Sequence, residues 1–147
     1  MVPQLFNRPY ILSYSQLADI PDRRPDSSLP EGSTLGPLLY LTFASELQEV
    51  AERHSVAFHS FANDIQLSKS ARIEDVYTAK QAVIYCVFDI EQWNSSHRLQ
   101  MNANKSEVIW LCMRQQLTML SQADMILRLN DSVLVLQPSA VVRNLGV

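Results

Sequence analysis

Glycine is scarce in this chain: three residues in 147, at Gly32, Gly36 and Gly146. Glycine tolerates backbone that other residues avoid, so each one marks a position where a side chain would not fit. Cysteine is scarce too. Cys86 and Cys112 sit far apart among apolar neighbours, with no CxxC pair, and His54, His59 and His97 do not fall at zinc-site spacing with them. This excludes a disulfide scaffold and a zinc finger, and leaves buried free thiols in a reducing compartment as the expectation. Long apolar runs are missing as well. The longest, Leu35 to Ala44, is about half of the roughly 20 residues a membrane span needs. The N-terminal stretch has no basic segment followed by a continuous apolar one. The expectation is an intracellular chain with no membrane partner. An excess of positive charge is also absent: 12 Lys and Arg face 15 Asp and Glu, giving a net charge of -3. That balance weighs against a chain that grips nucleic acid by itself, because phosphate binding relies on clustered Lys and Arg.

What is present describes a globular protein. Apolar residues make up 47% and charged residues 18%, which separates the chain from disordered sequences. Its length suits one domain with a core of its own. Residues 1–28 differ from the rest, because Pro3, Pro9, Pro21 and Pro25 interrupt any regular pattern. They read as an irregular leader, with one short element at Tyr10 to Leu17.

From Leu29 the pattern becomes regular. Ser33 or Thr34 can cap a helix whose first turn accepts Pro37, which needs no amide donor there. Leu39, Phe43, Leu47 and Val50 keep helical spacing, predicting a helix from Pro37 to Arg53. Two alternating runs, around Val56 and Phe58 and around Ile65 and Leu67, flank Asn63-Asp64 and predict a β-hairpin turning there. A second helix is expected from Arg72 to Ser95, with Ser70 as its cap. Its apolar stripe is Val76, Ala79, Val83, Cys86, Ile90 and Trp93. Strands follow at Glu107 to Cys112 and in a second hairpin, Met125 to Leu129 and Ser132 to Leu136, around Asn130-Asp131. The order predicts an α+β fold: an antiparallel sheet with two helices packed on one face.

Four collinear segments carry a resemblance. LPEGSTLGPLLYLTFASEL is similar to the PQGSxLGPLLF motif and helix of reverse transcriptases. FANDIQL resembles their F/Y-A-D-D hairpin. IEQWNSSHRLQMNANKSEVIWL resembles the W..SN.L.LN..KTE..W region, and VRNLGV the Leu-Gly element after it. Together, from Leu29 to Val147, they resemble the palm of a non-LTR (LINE-type) retrotransposon reverse transcriptase. Residues 1–28 match nothing in that family. At this length the chain is too short for the fingers, complete palm and thumb of such an enzyme.

The resemblance implies an RNA-directed DNA polymerase whose partners are an RNA template and a DNA primer. Its chemistry is phosphoryl transfer by two Mg²⁺ ions held about 3.5–4 Å apart. It implies Asp64 as a metal-binding and catalytic carboxylate, Asn63 in place of the first hairpin aspartate, and Lys105 beside the departing pyrophosphate. It implies nucleic-acid or nucleotide contacts for Glu31, Gly32, Ser33, Leu145 and Gly146.

The sequence departs from the family at several of these positions. Asn63 is neutral where a carboxylate is expected. No strand with an F/Y-x-D aspartate precedes Leu29, since Asp19, Asp22 and Asp26 stand in turn-like context. Glu31 replaces glutamine and adds negative charge beside a phosphate backbone. A degenerate, catalytically inactive palm is therefore the expectation. The alternative is a non-catalytic remnant that binds RNA or protein, or a relic without a selected role. A continuous basic stripe of Lys69, Arg72, Lys80, Arg98, Lys105 and Arg114 would favour RNA. A sheet short of one strand would expose an edge open to self-association.

Local pattern alone reads these residues more plainly. Gly32, Gly36 and Pro37 then build a loop and start a helix, and Asn63-Asp64 is turn chemistry like Asn130-Asp131. Lys105 is then a solvated lysine, and Trp93 and Trp110 belong to the core. Collinearity is what lifts the family reading above these.

Overall fold

A computed structural model describes residues 10–18, 35–61, 64–101, 106–111, 119–121, 125–129 and 134–136. Strand β1 (Tyr10–Ala18) is followed by helix α1 (Leu35–Arg53), then by the hairpin β2 (Ala57–Phe61) and β3 (Asp64–Ser70). A 3₁₀ turn, Ile73–Asp75, leads into helix α2 (Val76–Ser96), which precedes β4 (Gln100–Met101) and β5 (Glu107–Leu111). A separate two-stranded ladder is formed by β6 (Leu127–Leu129) and β7 (Leu134–Leu136). The fold is α+β, with antiparallel pairing throughout.

The main sheet runs in the order β2-β3-β1, with β5 and β4 along the far side of β1. β5 pairs with Tyr10 to Tyr14 and β4 with Leu17 and Ala18. Ignoring the two-residue β4, the order is strand, helix, two strands, helix, strand, with β1 inserted between β3 and β5. This is the split βαβ arrangement.

Residues 10–18, assigned by sequence to an irregular leader with one short element, thus form the central strand. The alternation of Ile11, Ser13 and Ser15 with Leu12, Tyr14 and Gln16 is weak in hydrophobic contrast. Its ladder partners lie far off in sequence, in Asp64 to Ser70 and Glu107 to Leu111. The hairpin also differs from expectation. Asp64 begins β3, paired with Phe61, so the two residues between the strands are Ala62 and Asn63.

One face of the sheet makes the core. Ile65, Leu67, Val108 and Trp110 are buried against Leu47, Val50 and Ala51 of α1 and the stripe Val76, Ala79, Val83, Cys86 and Ile90 of α2. Fully burying such a side chain contributes about 1.5–3 kcal/mol. The Trp110 indole N–H donates to the Met125 carbonyl at 2.9 Å, which satisfies its polar atom. Trp93 is only half-buried, and it joins the helices instead. Its indole N–H donates to Glu46 at 2.9 Å, Phe43 meets its ring edge-on at 5.6 Å, and His97 stacks on it at 3.9 Å. Further along, His54 Nε2 lies 2.7 Å from Asp89 Oδ2, a second link between the helices. Asn94 is the core's weak point: it is buried, and neither polar atom of its side chain has a partner. An unpaired buried amide costs about 1–3 kcal/mol.

Both helices stop without glycine. After α1, Ser55 adopts φ 52°, the Val56 N–H donates to Ala51 O at 3.0 Å, and the Ser55 N–H donates to Glu52 O at 2.9 Å. After α2, Arg98 adopts φ 59°, with Leu99 N–H to Asn94 O at 2.8 Å and Arg98 N–H to Ser95 O at 3.2 Å. These are paired Schellman stops with a side-chain-bearing residue in the left-handed position that glycine usually takes. Lys69 reinforces the first by donating from Nζ to the carbonyls of His54 and Ser55. The Ser70 cap expected for α2 is not used. The helix is entered through the 3₁₀ turn, and Asp75 at its N-cap makes no side-chain cap bond.

Candidate functional site

Asp64 stands at the head of the hairpin, at the first position of β3 and on the sheet face away from the core. The face follows from strand alternation: Ile65 and Leu67 are buried against the helices, so Asp64, Gln66 and Ser68 occupy the opposite side. Cross-strand register extends that open face. His59 lies opposite Gln66 and Phe61 opposite Asp64 on β2. On β1, Gln16 lies opposite Asp64 and Tyr14 opposite Gln66, while Glu107 of β5 lies opposite Tyr14.

One carboxylate oxygen of Asp64, Oδ1, is buried and has no hydrogen-bond partner. A buried, unsatisfied carboxylate oxygen asks for a donor or a cation. Its register neighbours on either side, Phe61 and Gln16, bring no second carboxylate. Among the described residues no group of three or more His, Cys, Asp or Glu side chains is placed to hold a metal ion. A pair of Mg²⁺ ions needs several charged oxygen ligands, and the donor set of these residues does not fit one.

The remaining sequence-predicted site residues lie outside the described residues: Glu31, Gly32, Ser33, Asn63, Lys105, Leu145 and Gly146. Gln16 was missed. It follows Tyr14 at the aromatic-x-acid spacing, but with an amide at the acid position. Without the sheet register, nothing in the segment around it pointed to Asp64.

Of the basic residues whose continuity would favour RNA, Lys105 and Arg114 lie outside the described residues, and Lys69, Arg72 and Arg98 are dispersed. Lys69 and Arg72 line a cavity of about 340 Å³ between the end of β3 and the first turns of α2, together with Ser70, Asp75 and Thr78. Arg98 follows the far end of α2, about 30 Å away for a 21-residue helix. No lysine or arginine occurs at the open-face positions of β2, β3, β1 or β5.

A second cluster invites a catalytic reading and does not support one. Cys86, His54, Asp89 and Lys69 gather where α1 ends against α2. The His54 ring bonds Asp89, and no hydrogen bond joins it to Cys86. Burial pushes the Cys86 thiol up to about 12, Asp89 adds to the rise, and Arg53 and Lys69 oppose it. A nucleophilic cysteine needs the reverse shift. This is a free, buried, inert thiol, as the apolar surroundings predicted; Cys112 lies outside the described residues.

No described helix is long and apolar enough to cross a membrane. Compared with protein-family models, curated proteins and solved structures, the chain matches none.

Proposed function

We propose that this chain is a degenerate reverse-transcriptase palm of the non-LTR type that has lost polymerase activity. The observation that carries the reading is the pairing of Gln16 with Asp64. The resemblance calls for a strand bearing an aromatic-x-aspartate ahead of the helix and close to the hairpin's acids. β1 precedes α1, is hydrogen-bonded to β3, and has Tyr14-Ser15-Gln16 in register with the one hairpin aspartate. Support also comes from the collinear order of the four motif segments.

On this reading two acidic positions have become amides, Asn63 and Gln16, and Asp64 is what remains of the metal site. Amide oxygens are neutral ligands, so the charge needed to hold two dications beside a triphosphate is gone. Glu31 acts in the same direction on nucleic acid. The open face carries Asp64 and Glu107 without a basic partner in its described strands, which argues against retained RNA binding.

The test pairs a loss with a gain. The wild-type chain is expected to give no templated dNTP incorporation with Mg²⁺ or Mn²⁺ on a primed RNA template, and Asn63→Asp alone is expected to give none. The double variant Asn63→Asp with Gln16→Asp is expected to bind Mn²⁺, seen as paramagnetic broadening of the Phe61, Asp64 and Ile65 amide signals that the wild type lacks. Polymerisation by the wild type would overturn the claim of lost activity. Absence of broadening in a folded double variant would overturn the assignment of Gln16 and Asn63 to a former metal site.

A further inference from the structure

β2 forms one edge of the main sheet, since β3 is its sole strand partner among the described residues. Along an edge strand, every second residue turns its N–H and C=O outward, which makes a template for another strand. Proteins that stay monomeric guard such edges with lysine, proline or a bulge. β2 has none of these. It reads Ala57-Phe58-His59-Ser60-Phe61, and its register with β3 runs one-to-one from Ala57 opposite Ser68 to Phe61 opposite Asp64.

Helix α1 lies over this edge, because the Tyr40 hydroxyl donates to Ser60 Oγ at 2.9 Å. Its Phe43 and Glu46 contact Trp93 of α2. Leu41, two residues before Phe43, falls about 160° round the helix from it. That is the flank turned away from α2, beyond the β2 edge. Leu41 is 62% exposed and Leu38, on the neighbouring outer turn, is 61% exposed. An unguarded strand and unburied leucines therefore share one side of the molecule.

We infer that the β2 edge is a self-association surface: β2 pairs antiparallel with β2 of a second copy about a two-fold axis through His59. The axis stands perpendicular to the sheet, so the two α1 helices meet on the same face and Leu41 and Leu38 close a seam between them. The strand sequence suits its own copy. With His59 opposite His59, Phe58 meets Ser60 and Ala57 meets Phe61, a large residue against a smaller one in each pair, with no carboxylate, lysine or arginine involved. The leucine seam supplies apolar area that five residues of strand pairing lack, since a stable interface buries about 1,200–2,000 Å² in total. The inference is independent of the proposed ancestry, because it uses neither Asp64 nor Gln16.

Analytical ultracentrifugation of the full chain over a wide concentration range at neutral pH tests it. The wild type is expected to show a monomer–dimer equilibrium. His59→Lys sets two ammonium groups opposite each other, and Leu41→Lys charges the seam. Each is expected to raise the dimer Kd by roughly tenfold or more. Both positions are exposed, so the circular dichroism spectrum should be unchanged. Mixing His59→Lys with His59→Glu should restore a dimer that neither variant forms alone. A wild type monomeric throughout, or a dimer insensitive to both lysine substitutions, would overturn the inference.

Discussion

The two faces of the main sheet carry different loads. On the helix side, Ile65, Leu67, Val108 and Trp110 are buried in one continuous cluster with α1 and α2. On the open side, positions one residue away hold Asp64, Gln66, Ser68 and Glu107, all only partly covered. The same strands supply both sets, because successive side chains point to opposite faces. Stability is thus concentrated on one surface, while the candidate site around Asp64 lies on the other. A fold of this kind can keep its core while its open face changes, and the proposed loss of a metal site around Asp64 relies on that separation.

The sharpest way to break the contrast is to cut into the helix side. Leu67→Ala should lower unfolding free energy by about 2–5 kcal/mol in denaturant titration, by lost transfer energy and by the cavity left behind. An effect below 1 kcal/mol would mean that the sheet does not depend on this face.

A pH experiment probes the same core from another direction. The Cys86 thiol is raised from its ordinary 9.0 to about 12 in the folded chain, first by burial and then by Asp89. Between those values the unfolded chain has released a proton that the folded chain still holds. The difference in stability between wild type and Cys86→Ala should therefore shift against the wild type as pH rises above 9, by about 1.4 kcal/mol per unit. A pH-independent difference would mean that the thiol is not sealed in the core. In the same condition, mass-spectrometric mapping should find the Cys86 peptide alkylated only after denaturation.

Helix ends offer a smaller and opposite effect. Ser55→Gly and Arg98→Gly should each stabilise the fold by roughly 0.5–1 kcal/mol, because glycine enters the left-handed region without the steric cost a Cβ carries. Thermal midpoints that fall in both variants would contradict the Schellman geometry. Smallest of all, Gln66→Ala on the open face should stay within about 0.5 kcal/mol of wild type, one residue away from the position where the largest loss is expected.

Much of the fold was legible from local pattern. The helix expected from Pro37 to Arg53 runs from Leu35 to Arg53, and five of the six stripe residues of the second helix are buried. The strand expected from Glu107 to Cys112 is present from Glu107 to Leu111, with Cys112 outside the described residues, and both strand pairs joined as hairpins form antiparallel ladders. These elements state their periodicity within a short window. β1 does not. Its four flanking prolines and mixed face disclosed only one short element, Tyr10 to Leu17, inside an irregular leader; its central place in the sheet comes from partners distant in sequence. His54 is similar: nothing near it in sequence announces Asp89, 35 residues on, as its partner.

The candidate site was legible only in part. Asp64 could be named from FANDIQL, but its position at the start of β3 and its unpartnered Oδ1 depend on the hairpin register. Gln16 acquires meaning only as the residue across from Asp64.

The sequence by itself determined the local elements, the face each helix buries and the burial of the Cys86 thiol, because apolar spacing acts over a few residues. Tertiary structure decided which strand lies in the middle, which described strand ends the sheet and which two residues share a row. Those are questions of pairing between distant segments, and main-chain hydrogen bonds leave no local mark in the side chains that make them.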